Sequence, residues 1–443
     1  MQIQLSEHFT YGKLIKFTIP TIIMMIFTSI YGVVDGLFIS NVAGSSAFAS
    51  VNLIMPAIMI LGSIGFMIGT GGSALVSLTL GMGDKERANK IFSMLIYVLI
   101  IAGLVFSIAG FFVMESIAKL LGADETTLEN CVIYGQTLMF GLTPFLLQNA
   151  FQSFLVVAER PKMGLVISLI CGVTNMVLDF LFVYVFKWGV FGAAFATGIS
   201  QFIGSIVPVI YFLRPNKSPL RLVKTTIKMS YLIKTCTNGS SEMLTNLSLS
   251  LVNMLYNIQL IKLAGSDGVV AYGIIMYVGF IFAATYIGYS IGAAPIVGYH
   301  YGAGNIKELK SLLKKSVILL AVSSIVLTGI AEILASPLAG VFVSYDKNLL
   351  DMTTVAIRIY VISYIFAGFN IFASAFFTAL NNGFISALIS FLRTLVFQVL
   401  MIYLLPYFWE LEGIWMSVIF AEVLSLIVSA VCFIINRKKY QYF

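Results

Sequence analysis

Four oxygen-bearing side chains sit inside long apolar stretches of this sequence. Asp35 falls near the end of the apolar run 14–40, and Asp179 near the end of 163–186. Asn175 precedes Asp179 by four residues, and Thr197 lies seven residues into the run 190–213. An ionisable group within a bilayer costs at least about 2.5–3.5 kcal/mol, so each such carboxylate asks for a function. Residues four apart share one helical face, which puts Asn175 and Asp179 side by side. At about 1.5 Å per residue, Asp35 and Asp179 both lie roughly 8–10 Å below the same boundary, with Thr197 at that level. Two carboxylates, an amide and a hydroxyl are the oxygen ligands a hard cation takes. Without a cation, two close carboxylates resist joint ionisation and one holds a proton. Asp35, Asn175, Asp179 and Thr197 are therefore read as a site for H⁺ or Na⁺. The plainer alternative is a hydrogen-bond network joining the three runs.

The second half carries different charges. Glu242 lies seven residues into the run 235–261, Arg393 within 384–407 and Glu422 within 413–436. Arg393 and Glu422 reach the same depth and are expected to pair, because pairing avoids two lone buried charges. Glu242 stays open between a proton site and a cavity residue. Met and aromatic side chains repack cheaply around flat cations. Met24, Phe27, Tyr31, Phe154, Tyr256 and Tyr277 are the candidates for such a substrate cavity.

The elements that must hold these groups follow from composition. Of 443 residues, 59% are hydrophobic and 10% charged, against about 45–50% and 25% in soluble domains. Mean hydropathy is +0.99. A soluble enzyme, a nucleic-acid binder and a disordered chain are excluded as readings of the whole. The predicted spans are 14–40, 47–80, 91–115, 132–157, 163–186, 190–213, 235–261, 269–298, 315–341, 354–380, 384–407 and 413–436. Runs this long and continuous exclude a β-barrel, whose strands alternate over about ten residues. Several exceed the roughly 20 residues a bilayer needs, so kinks or extension beyond it are expected. The fold class is an all-α polytopic membrane protein of twelve helices.

With the N-terminus inside, twenty Lys and Arg fall in loops and tails of one side and four on the other. This asymmetry places both termini in the cytoplasm. The N-terminal stretch is not expected to act as a cleaved signal peptide. Cys131, Cys171, Cys236 and Cys432 form no disulfide or zinc pattern. Gly-rich residues 69–74 follow no strand and read as helix packing, not a nucleotide loop.

The chain also repeats itself. At an offset of 221, Ala43-Gly44-Ser45 falls on Ala264-Gly265-Ser266, Gly81 and Gly83 on Gly302 and Gly304, and Gly192 on Gly413. Six spans per half give two parallel lobes related by an axis along the membrane normal, with the substrate path between them. The lobes are 1–213 and 235–443, joined by the basic cytoplasmic linker 214–234. The same offset sets Asp35, Asn175, Asp179 and Thr197 opposite Tyr256, Val396, Leu400 and Val418, so the cation site is expected in the first lobe alone.

These features resemble the multidrug and toxic compound extrusion (MATE) transporters of prokaryotes. The likeness rests on VVDGLFIS around Asp35, TNMVLDFLFVY around Asn175 and Asp179, GAAFATGISQ around Thr197, and the loops GMGDKERA and GAGNIKEL. Its style is nearer the DinF-like and staphylococcal multidrug-pump side. The resemblance implies that the span 1, 5 and 6 residues form a sodium or proton site. It implies a secondary active exporter of organic, mainly cationic, compounds by alternating access in a bacterial or archaeal cytoplasmic membrane. No enzyme activity, no cofactor beyond the coupling ion, no nucleic-acid partner and a monomeric state are expected. Span 7 departs from the family pattern, with Ser241 and Glu242 where a proline is common. The rival reading is a flippase for lipid-linked oligosaccharides or lipids, which needs several cavity cations to hold a pyrophosphate.

Overall fold

The computed structural model describes residues 3–39, 42 and 45–443. Ala43 and Gly44 of the first repeat match, and Ser40 at the end of the first run, lie outside them. The helices in chain order are α1 (Tyr11–Phe38), α2 (Ser45–Gly81), α3 (Lys85–Leu120), α4 (Leu128–Val157), α5 (Pro161–Asp179) and α6 (Gly189–Leu213). They continue with α7 (Met229–Gly302), α8 (Ile306–Val343), α9 (Lys347–Val361), α10 (Tyr364–Ala379), α11 (Gly383–Phe391), α12 (Phe397–Leu404) and α13 (Pro406–Tyr440). No strand occurs among the described residues.

Ten of these helical stretches are long and apolar enough to cross a membrane, or eleven when α9 and α10, bent by 47°, count as one. The 74-residue α7 is two spans. At about 1.5 Å per residue it would reach roughly 110 Å, several times the hydrocarbon core. It folds back at Gly265, with φ 62° and ψ −149°, a conformation essentially restricted to glycine. Counting both halves gives the twelve spans. Helices α3 and α8 run past the apolar segments read from sequence. Asp84 and Asn305 cap them by accepting the N–H of Arg87 at 2.9 Å and of Glu308 at 3.1 Å, and such caps extend a helix into its charged first turns.

The repeat is visible in the turns. Gly83 and Gly304 both have positive φ, as do Glu159 and Asn381. The first pair is 221 residues apart and the second 222, so a single offset does not hold along the chain. Either register leaves Asp179 opposite an apolar residue, Leu400 or Met401.

The lobes meet tightly at the end that carries both chain termini. A Cβ at Gly81 of α2 would lie 2.0 Å from the Tyr299 carbonyl oxygen of α7, and one at Gly302 would lie 2.1 Å from that of Leu78. This reciprocal backbone contact excludes any side chain. Asn381 donates from Nδ2 to the Ala74 carbonyl at 3.1 Å across the same seam. The N-terminal segment straps it further. The Leu5 N–H donates to Glu159 Oε1 at 2.8 Å and the Phe9 N–H to Glu308 Oε1 at 2.8 Å. Lys315 Nζ donates to the Phe9 carbonyl.

Candidate cation site and central cavity

Gly172 sets how closely α1 and α5 approach. A Cβ there would lie 2.4 Å from the Phe27 ring of α1, with Tyr31 next to it. That contact brings Asp35 of α1 to Asp179 of α5, and the two carboxyl groups interact directly. Asn175 and Asp179 are almost wholly buried. Asn175 donates from Nδ2 to Thr197 Oγ1 at 3.3 Å, which ties in α6. After Asp179 the backbone widens into a π-helix over Phe180–Val185, a distortion frequent at functional sites. All four residues expected at the site therefore come together.

Their oxygens share one property. Asp35 Oδ1, Asn175 Oδ1 and both carboxylate oxygens of Asp179 are buried without a hydrogen-bond donor. Buried polar atoms in native structures are nearly always satisfied, so four unpaired acceptors at one place need an explanation. A monovalent cation supplies what all four lack, a shared proton what two of them lack, and either relieves the repulsion between the carboxylates. Tyr134 of α4 lies within electrostatic range of both aspartates; sequence reasoning missed it, because a tyrosine in an apolar run carries no spacing signal.

The second lobe is built differently. There Tyr256 of α7 donates its hydroxyl to Gln398 Oε1 of α12 at 3.0 Å, and Tyr256 stacks on Tyr272 at 4.7 Å. A neutral, satisfied pair thus bridges these helices, where the first lobe has two carboxylates between α1 and α5. Arg393 and Glu422 form the expected pair. Arg393 donates from Nε at 2.8 and 3.0 Å to the two carboxylate oxygens, and its terminal nitrogen lies 2.7 Å from Oε1. Asn370 Nδ2 adds a 2.7 Å bond to Glu422 and accepts at Oδ1 from Ser429 at 3.0 Å. Arg393 sits in a second π-helical segment, Leu392–Val396. The Asn370–Ser429 extension was not foreseen, since isolated Asn and Ser in apolar runs are usually packing residues.

A cavity of about 240 Å³ opens beside this network. Glu242, Arg393 and Glu422 border it with Tyr256, Tyr272 and Tyr360, and Thr70, Ser73 and Ser153 reach it from the first lobe. Several expected lining residues are elsewhere. Phe154 is buried against Phe92. Tyr277 is 38% exposed and stacks on Phe342. Met24 is buried and lies near Gly164, while Phe27 and Tyr31 form the α1–α5 contact. Of the six, Tyr256 alone borders this cavity. Aromatic character could not distinguish packing from lining, because both use the same side chains. Neither Asp35 nor Asp179 is on the cavity wall; the candidate cation site and the cavity are separate.

The MatE family model matches the chain twice, over residues 20–181 and 243–404, once in each half. The chain belongs to the MatE family. Relatives of the chain carry the name multidrug export protein. The multidrug export protein MepA of Staphylococcus saprophyticus is 24% identical over 430 residues, spanning 96% of this chain and 94% of that relative. A crystal structure of MATE in complex with MaL6 superposes with a TM-score of 0.93 at 21% identity, covering 98% of each chain. An outward-facing multidrug resistance MATE transporter of the MOP superfamily superposes with a TM-score of 0.92, at 21% identity and 98% coverage of each chain. These likenesses establish the fold of this MatE protein, which the solved MATE structures share over nearly the whole chain.

Proposed function

We propose that this MatE protein is a secondary active exporter that exchanges inward-moving H⁺ or Na⁺ for organic compounds, preferentially cations. The observation that carries the proposal is the cluster of four donorless oxygens on Asp35, Asn175 and Asp179. Binding an ion there draws α1, α5 and α6 together, and losing it restores carboxylate repulsion. Two packings of the first lobe follow, and each ligand favours one of them. Antiport needs nothing more than that difference in affinity. The name of the staphylococcal relative supports drugs as cargo. The cavity wall, with Glu242 and several tyrosines, supports cationic cargo, because aromatic faces and carboxylates both attract cations.

The excess of basic residues at the terminus-bearing end supports cytoplasmic termini. With that end sealed by the α2–α7 seam and the N-terminal strap, the lobes face outward. Lobes 1–213 and 235–443 then rock about the linker 214–234. The linker docks on α3, where its Arg221 and Val223 N–H groups reach Asn89 Oδ1 and Ser93 Oγ at 2.8 Å each. For the flippase reading, the relevant cation is Arg393, and Glu422 neutralises it. The test is efflux of a lipophilic cation from proteoliposomes under imposed H⁺ or Na⁺ gradients. An inward gradient of one ion is expected to accelerate efflux. Equal rates with and without both gradients would overturn antiport.

A further inference from the structure

A second cavity, of about 480 Å³, lies at the terminus-bearing end of the first lobe, away from the cation site. Lys16 and Phe17 of α1, Arg160 and Lys162 at the start of α5, Glu159 in the preceding turn and Tyr211 of α6 enclose it. Its volume falls in the range of roughly 300–1,000 Å³ typical of small-molecule sites. Three cations face one carboxylate, and that carboxylate accepts the Leu5 N–H. None of the three cations has a carboxylate within ion-pair distance among the described residues. Arg160 is oriented by its Nε, which donates to the Tyr211 hydroxyl at 3.1 Å, and its remaining guanidinium N–H groups stay available. The first turn of α5 opens here without a side-chain cap; Pro161 has no N–H and the Met163 N–H donates to the Arg160 carbonyl at 2.9 Å, so what the turn adds is the positive end of the helix dipole, a favourable potential for an anion.

The surroundings are those of a lipid. Ile19 and Ile23 follow Lys16 by three and seven residues, and Val166 and Ile170 follow Lys162 by four and eight. Each therefore continues the helical face of its lysine, and all four are exposed. Apolar stripes run down α1 and α5 from a basic pocket at their common end. Basic pockets between membrane helices at the cytoplasmic surface suit anionic headgroups. We propose that this cavity binds the phosphate group of an anionic phospholipid. The bound lipid would clamp together the ends of α1, α5 and α6, the helices that carry Asp35, Asp179 and Thr197.

Native mass spectrometry of the purified full-length chain in neutral detergent tests this, with phosphatidylglycerol, phosphatidylcholine and inorganic phosphate titrated separately. Phosphatidylglycerol is expected to bind tightly and phosphatidylcholine weakly. Lys16→Gln with Lys162→Gln is expected to weaken phosphatidylglycerol on the order of thirtyfold, from two lost surface cations. The control pair Lys307→Gln with Lys310→Gln, at the same end but off the cavity, should leave it unchanged. Single Lys162→Gln, an exposed position, serves if the double variant does not fold. Inorganic phosphate that binds through the same lysines as tightly as the lipid would overturn the lipid assignment in favour of a free anion. Lipid binding insensitive to both cavity lysines, or equally sensitive to the control pair, would overturn the site itself.

Discussion

Replacing Glu422 by Gln should damage the second lobe more than any other single polar change. The carboxylate is 4% exposed and its Arg393 partner 19%. It accepts bonds from Arg393 and Asn370 between 2.7 and 3.0 Å. Breaking a buried pair from one side costs about 3–5 kcal/mol, because the remaining charge is left unpaired. Arg393 borders the cavity and can recover some hydration there, so the lower end, about 3 kcal/mol, is expected. For a unit of about 150–250 residues, each kcal/mol moves Tm by roughly 2–4 °C, and the second lobe is of that size. The loss in apparent Tm of the purified protein should therefore be roughly 6–12 °C at a fixed scan rate. Arg393→Gln should lose a similar amount. The double variant removes both charges and leaves two amides able to bond each other, so it should recover at least half of the summed loss. Strictly additive losses would show that the two residues do not interact, and the network described here would be refuted.

Gly265→Ala should destabilise by about 1–3 kcal/mol, because the φ and ψ that fold α7 back are costly for alanine; thermal unfolding reads it, and an unchanged Tm would mean that the turn adopts another conformation. Glu242→Gln should weaken binding of a lipophilic cation to the purified protein by about tenfold, or about 1.4 kcal/mol, without weakening an anion of similar size. Cation binding that ignores Glu242 but falls with Asp179→Asn would move the cargo from the second-lobe cavity to the first-lobe site.

The spans were legible because apolar runs of membrane length leave little choice of structure. Even the fold-back of α7 shows as two runs around Ala264-Gly265-Ser266. The clustering of these side chains was legible for a similar reason: a carboxylate in a membrane is costly, so Asp35 and Asp179 stand out, and helical spacing adds Asn175. Arg393 and Glu422 were legible by depth alone. The cavity was not. Its wall depends on how two lobes are rotated against each other, and no local pattern encodes that angle. Phe154 and Tyr256 look alike in sequence, yet one packs on Phe92 and the other borders the cavity. The register change from 221 to 222 was hidden for the same reason, since it shows in the backbone of turns at Glu159 and Asn381 and not in residue identity. The strap also escaped notice, because the Leu5 and Phe9 N–H groups bond carboxylates 154 and 299 positions away, Glu159 and Glu308.

In the proposed mechanism the Asp35–Asp179 pair couples an ion to export from a separate cavity. Asp179→Asn in proteoliposomes tests it most directly, with gradient-driven efflux and equilibrium binding of the same lipophilic cation measured side by side. Gradient-driven efflux is expected to be lost, and the affinity for the lipophilic cation is expected to stop responding to H⁺ or Na⁺ concentration. Wild-type efflux under the same gradient would contradict the mechanism.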